Sequence, residues 1–293
     1  MLDSSFNPIL GVLMHAILPP GTYVFAISGG VDSVVLLDMY ARLKEYTIIV
    51  AHFDHGIRVD SSNDALFVAD LARQYGLAFV MERMELGDRV GEEKARNYRY
   101  EFLFQASKTY KAAAVVTAHH QDDVIETIFI NILRGTGWRG LCSLRSTKKI
   151  ARPLLESSKE EIISYAEKEN LLWREDSTNE QDIYTRNLIR HKVVSNMSQE
   201  QRHEILSLYQ RQCELLIEIN SECERLTSYR RYDVILWPRE VAIEMLRFLV
   251  PLTRPQASRA LAAIKTARPG AEIIISGSQK MIMNRDTFIV QPL

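Results

Sequence analysis

The stretch Tyr23-Val-Phe-Ala-Ile-Ser28-Gly29-Gly30-Val31-Asp32-Ser33 decides the fold. A short apolar run ends in two glycines, and an amphipathic stretch, Asp32 to Lys44, follows at once. A buried strand turning through glycines into a helix opens a βαβ unit. Three more strand-like runs succeed it, Thr47 to Asp54, Leu77 to Met84 and Ala112 to His119. Helical stretches separate or follow them at Asn63 to Tyr75, Glu92 to Tyr110 and Gln121 to Arg134. Ser61-Ser62 and Gly76 bracket the first of these as caps. Strands alternating with helices of this length predict an α/β protein with a doubly wound, mainly parallel sheet.

The pattern changes after about residue 155. Ser158-Lys-Glu-Glu161 is a capping-box sequence opening a helix to about Asn170. Asp182 to Val194 reads as helix. Gln199 to Tyr229 reads as a long polar helix with Ile205, Leu208, Leu215, Ile219 and Leu226 at helical spacing. Beyond it, helices near Arg239 to Leu249 and Pro255 to Thr266 precede strand-like runs at Glu272 to Ser276 and Thr287 to Val290. The expected organisation is a nucleotide-binding catalytic domain over 1–195, a helical connector over 196–230 and a small α+β domain over 231–293. The long helix can brace the two domains or pair two subunits, so a homodimer is one expectation.

The 293 residues are 46% hydrophobic and 25% charged, which excludes a disordered or fibrous chain. Lys+Arg number 36 against 37 Asp+Glu, so any nucleic-acid surface must be a local basic face. The three cysteines, Cys142, Cys213 and Cys223, form no C-x-x-C pair, which excludes a disulfide framework and a zinc ribbon. No apolar run approaches membrane-spanning length. The apolar stretch within the first 20 residues has no basic residue before it and reads as a helix rather than a signal peptide. A cytoplasmic protein is expected.

The glycine turn sits where open α/β sheets bind phosphates, at a strand's carboxyl end and a helix's N-terminus. Gly29 and Gly30 admit backbone amides close to an anion, and Ser28 and Ser33 offer hydroxyls. The P-loop lysine is missing, and the spacing is not G-x-G-x-x-G. A carboxylate beside an anion site repels phosphate unless a divalent cation bridges them, so Asp32 implies Mg2+. Ser-Gly-Gly-x-Asp-Ser after an apolar strand resembles the pyrophosphate loop (PP-loop) of the N-type ATP pyrophosphatases, an adenine nucleotide alpha hydrolase-like fold. The resemblance implies cleavage of ATP to AMP and pyrophosphate.

Further motifs stand in order. They include His52-Phe-Asp54-His55, Ala95-Arg96-Asn-Tyr-Arg99-Tyr100, Thr117-Ala-His119-His120-Gln-Asp122-Asp123-Val-Ile-Glu126, Leu133-Arg134-Gly135, Ala151-Arg152-Pro153, Glu175-Asp176-Ser177-Thr178-Asn179 and Tyr184-Thr-Arg186-Asn187-Leu-Ile-Arg190. The set, over residues 22 to about 195, resembles the bacterial tRNA(Ile)-lysidine synthetase family. That resemblance implies adenylation at C2 of the wobble cytidine of the CAU-anticodon isoleucine tRNA, followed by attack of free lysine's ε-amine. Another PP-loop tRNA-modifying enzyme, or a silent nucleotide-binding RNA scaffold, is the rival reading.

Roles follow from residue type and spacing. Arg96 and Arg99, three apart on one helix, can face a phosphate of ATP or of tRNA. Asp122, Asp123 and Glu126 can converge to hold a cationic lysine, and one of them can take its proton, with Asp122 alternatively a helix cap. His52 and Asp54 alternate onto one strand face and suit a nucleotide edge, with His55 on the other. His119, Arg134 and Gly135 stand within the motifs that carry the resemblance and are expected at the nucleotide site. Arg152 and the basic stripe Arg186, Arg190, His191 and Lys192 suit tRNA phosphates, and Tyr229-Arg-Arg-Tyr232 extends that surface. Trp173 and Tyr184 read as packing residues.

Overall fold

A computed structural model describes residues 17–56, 61–84, 92–174 and 185–293. The helix expected near the start of the chain falls largely outside the described residues, as do Arg58, residues 175–179 and Tyr184. Five parallel strands form one sheet: β1 (Gly21–Ala26), β2 (Tyr46–Asp54), β3 (Ala78–Arg83), β4 (Ala114–Val116) and β5 (Ile150–Ala151). Their order is β3-β2-β1-β4-β5. The chain thus winds one way from β1 and then the other, and the turn after β1 lies at the switch point. The expected doubly wound parallel sheet is the observed one.

Strand alternation sends successive side chains to opposite faces. Tyr23, Phe25, Ile48, Val50 and Val116 join one core with Val35, Leu36 and Met39 of helix α1 (Val31–Leu43). Helix α2 (Ser61–Gln74) adds Val68 and Leu71 to it. Val24, Ile49, Ala51 and Val115 turn the other way onto Leu103 and Ala106 of α3 (Glu92–Thr109). With both faces covered, the strands read as continuous apolar runs.

Helix α4 (Gln121–Leu133) follows β4, and α5 (Lys159–Lys168) packs Ile162, Tyr165 and Ala166 into the α1 side of the sheet. Between α1 and α5, Asp38, 1% exposed, accepts hydrogen bonds from the hydroxyls of Tyr165 (2.8 Å) and Tyr75 (2.5 Å). Burial first, then this carboxylate, pushes both phenols above their ordinary range. Arg42 donates to Asp38 (2.9 Å) and pairs with Glu169 (2.8 Å). Trp173 packs against this core, as expected of it. Ile189 of helix α6 (Thr185–Lys192), with Val194 just beyond it, packs on Ile125 of α4.

Helix α7 (Gln199–Leu226) ends three residues before the expected Tyr229. The chain divides into two compact units inside it, at Tyr209 and Gln210. The second unit has helices α8 (Arg231–Leu236), α9 (Arg239–Leu249) and α10 (Arg254–Thr266) and an antiparallel sheet of β6 (Glu272–Ser276), β7 (Gln279–Met283) and β8 (Phe288–Pro292). Strand β7 and helix α8 are additions to the sequence reading. The middle strand buries Met281 and Met283, residues with weak strand preference, so its composition carried little signal. No helix among the described residues is long and apolar enough to cross a membrane.

Candidate active site

The turn after β1 is held in shape by its own hydroxyl. Ser33 Oγ accepts the N–H groups of Ser28 and Gly29, each at 3.2 Å, and donates to the Gly30 carbonyl at 2.8 Å. Ser33 therefore staples the turn, and its proton is not offered to an anion as the sequence suggested. The exposed Ser28 hydroxyl accepts the Gly30 N–H at 3.3 Å. Gly29 has φ +97°, and a Cβ there would stand 3.4 Å from Phe67 and 3.5 Å from Val68 of α2. Gly30 begins α1 without any side-chain cap, which leaves first-turn amides and the helix dipole for an anion.

Asp32, in that first turn, meets two groups from distant parts of the chain. Lys159 Nζ lies 2.5 Å from its Oδ1, and His120 Nε2 lies 3.9 Å from its Oδ2. Its carboxylate is 30% exposed. His120 is the N-cap of α4, and its Nδ1 accepts the Asp122 N–H at 3.3 Å. A neutral ring then carries its proton on Nε2, which also faces Asp123 Oδ2 at 3.7 Å. One imidazole thus links the glycine turn to the carboxylate helix. Asp123 completes the cap by accepting the His120 N–H at 3.0 Å. Capping falls to these two residues, not to Asp122.

The three acids of α4 do not converge. Asp122 pairs with Arg202 of α7. Glu126, 0% exposed, accepts hydrogen bonds from Arg190 Nε at 2.6 Å and Arg190 Nη2 at 3.3 Å, and Arg186 Nε stands 3.1 Å away as an ion pair without hydrogen-bond geometry. Arg190 also comes within 3.8 Å of Asp123. Arg186 and Arg190 are accordingly anchored inward, and the outward basic stripe expected of them is not formed. Burial raises Glu126 above the usual carboxylate range against the opposing pull of Arg190. Burial also acts to raise Asp123, yet His120, His119, the His120 amide and Arg186 bring it down to about 2.

A second cluster gathers cations. Arg96 and Arg99 place their guanidinium carbons 5.0 and 5.6 Å from the centre of the Tyr100 ring. Arg152 is 6% exposed and gives a hydrogen bond to the Arg145 carbonyl. Its Nε is buried with no acceptor among the described residues. Burial lowers the Arg152 pKa, and Arg96 adds to the lowering. Burial, then Arg152, Arg99 and Arg96, hold His119 down at about 3 against Asp123. His119 Nδ1 meets the Thr117 hydroxyl at 2.8 Å. Three guanidinium groups around a histidine kept neutral make a site for an anion.

The remaining candidates are chiefly framework. His52 is buried, with Nδ1 2.9 Å from the Ile27 carbonyl at the start of the turn. Asp54 accepts the Gly56 N–H at 2.8 Å and lies 3.7 Å from Arg83. His55 packs edge-on to Phe53. Arg134 caps α4 and Gly135, at φ +66°, stops it; both are exposed. Among the described residues no group of three His, Cys, Asp or Glu side chains forms a metal cage. One open carboxylate suits Mg2+, which is commonly held by one or two carboxylates together with substrate phosphates. Sequence reasoning missed His120, Lys159 and Arg202. His120 stood in a quoted motif, and Lys159 in a capping box, where each looked like helix punctuation.

The PP-loop domain family matches residues 9–197 of the chain. A tRNA(Ile)-lysidine synthase of Enterococcus faecalis is 35% identical over 192 residues, covering 62% of this chain and 42% of that protein. One of Thermotoga maritima is 36% identical over 193 residues, covering 62% of this chain and 47% of that protein. The chain matches about half the length, or less, of these curated relatives. Among solved structures, a U34-tRNA thiolase of Methanococcus maripaludis superposes with a TM-score of 0.57 at 19% identity, covering 71% of this chain and 77% of that one. That likeness is one of fold.

Proposed function

Because the chain belongs to the PP-loop domain family, we propose that it is an ATP-dependent tRNA(Ile)-lysidine synthetase. In this reading ATP adenylates O2 of the wobble cytidine in the CAU anticodon, and pyrophosphate leaves. The ε-amine of free lysine then attacks C2, the C2–O2 bond breaks, and AMP departs with that oxygen. The observation that carries the reading is the join made by His120, 3.9 Å from Asp32 and 3.7 Å from Asp123. It brings an anion-binding turn and a carboxylate helix to one sheet edge.

The glycine turn and the α1 N-terminus hold the departing pyrophosphate. Mg2+ at Asp32 would neutralise phosphate charge there. Arg96, Arg99 and Arg152 stabilise negative charge on phosphate, of ATP or of the anticodon backbone. Asp123 is the carboxylate suited to the lysine ammonium, since Glu126 is sealed by two arginines. A carboxyl held down at about 2 is a weak base, so Asp123 orients the amine while the ammonium's proton passes to solvent water before attack.

For the rest of the tRNA, the second unit offers a cleft of about 520 Å³ whose wall includes Arg230, Tyr232, Arg268 and Arg285, with Asp286 beside them. None of these three guanidinium groups takes a carboxylate among the described residues, and Tyr232 is 66% exposed. From residue 227 onward ten Lys+Arg stand against five Asp+Glu. Free cations beside an exposed ring favour RNA phosphates and a stacked base.

The test is incubation with ATP, lysine and the CAU-anticodon tRNA, with mass analysis of the wobble nucleoside and of the nucleotide product. Lysidine with AMP and pyrophosphate is expected. ADP as product, or an unmodified cytidine, overturns the reading, and a modified uridine elsewhere would favour a different tRNA-modifying activity.

A further inference from the structure

We propose that Lys159 is a phosphate ligand of the nucleotide site, so that α5 delivers the cation missing from the glycine turn. The inference rests on the ATP reading above and adds to it a residue 127 positions away from Asp32. Lys159 Nζ touches Asp32 Oδ1 at 2.5 Å, and the two side chains are 31% and 30% exposed. The pair is open to solvent at the mouth of the turn. An ammonium has three donors, so one N–H can stay on Asp32 while the others meet phosphate oxygens.

The position of Lys159 is built. Helices α1 and α5 meet along three polar rungs, Asp32 with Lys159, Asp38 with Tyr165 and Arg42 with Glu169. The spacing is the same on both helices, so they run parallel in register and begin at the same edge. At the far end of this segment the Arg174 N–H donates to the Gly29 carbonyl at 2.9 Å. The segment from 159 to 174 is therefore tied to the turn at both ends.

A purely structural role explains Lys159 poorly. The Tyr165–Asp38 rung is buried and already joins the helices. A half-open ion pair adds little to that. What the pair does supply is a positive charge at the mouth of the turn, beside the carboxylate proposed for Mg2+.

The test is calorimetric titration of the full chain with pyrophosphate in the presence of Mg2+, for the unaltered protein, Lys159→Met and Lys159→Arg. Lys159→Met is expected to weaken pyrophosphate binding at least about tenfold and to raise the KM for ATP. Lys159→Arg is expected to recover most of the affinity, and thermal midpoints should stay together. Unchanged pyrophosphate affinity in Lys159→Met overturns the proposal. So does an equal loss in both variants accompanied by a lowered midpoint, which would mark Lys159 as structural. No pyrophosphate binding by the unaltered chain overturns the nucleotide reading itself, and this proposal with it.

Discussion

Asp32 lies in the first turn of α1 and Glu126 in the second turn of α4, both helices following strands of one sheet, and each acid is answered by cations from later in the chain. Asp32 meets one lysine, with both side chains about a third exposed. Glu126 is fully buried and held by three guanidinium contacts from Arg186 and Arg190. A lysine ammonium on a flexible stem can redirect its donors, whereas a bidentate arginine pair is committed to its carboxylate. The difference separates an acid free to change partners from an acid that fixes the framework, although sequence spacing alone treats both as catalytic candidates.

The comparison is most directly broken at its sealed end. Glu126→Ala leaves two arginines without their carboxylate and is expected to cost about 3–5 kcal/mol of stability. Denaturant unfolding measures this, and a loss below about 1 kcal/mol would mean that the cluster is not the anchor described. Asp32→Asn should do the converse. ATP-dependent AMP formation should fall on the order of 10²–10³-fold while the unfolding midpoint barely moves. A matching collapse of stability would erase the distinction between the two acids.

Acid sensitivity sharpens the picture between those extremes. His119 is held near 3 when folded against about 6.5 when unfolded, so the unfolded chain binds the extra proton in that window. Stability from this group is present above about pH 6.5 and is lost as pH falls toward 3, by about 2 kcal/mol between pH 7 and 5. Asp123, down at about 2, adds a loss in the same direction at lower pH. His119→Gln should flatten the upper part of the profile, and an unaltered slope in thermal melts from pH 7 to 5 would refute the assignment. The smallest effect is expected at the intermediate pair. Asp122 and Arg202 are 17% and 15% exposed, and Arg202→Ala should cost about 1 kcal/mol. A cost equal to that of Glu126→Ala would show that burial does not set the ranking.

The glycine turn was legible because its signal is local: an apolar strand, two glycines and a helix within eleven residues. The sheet was legible for the same reason, repeated four times. What eluded sequence reasoning depends on which helices are neighbours. Asp122 and Glu126 lie four apart, yet Arg202 draws one outward while Arg186 and Arg190 enclose the other. The matching intervals of 32, 38 and 42 with 159, 165 and 169 are visible in the sequence, but they become a ladder only once α1 and α5 are known to be parallel. Ser33 was read as a ligand group, and the fold adds that its hydroxyl shapes the turn, because a hydroxyl that shapes a loop and one that greets a ligand look alike in sequence.

His120 carries a consequence for placement. Its Nδ1 is committed to the Asp122 amide, and its Nε2 lies within 3.9 Å of both Asp32 and Asp123. The ring cannot turn without giving up its cap, so its Nε2 stays aimed between the two acids. In the proposed reaction these are the acid beside the departing pyrophosphate and the acid proposed for the incoming amine. One capped imidazole would then stand between the places of the two proposed half-reactions.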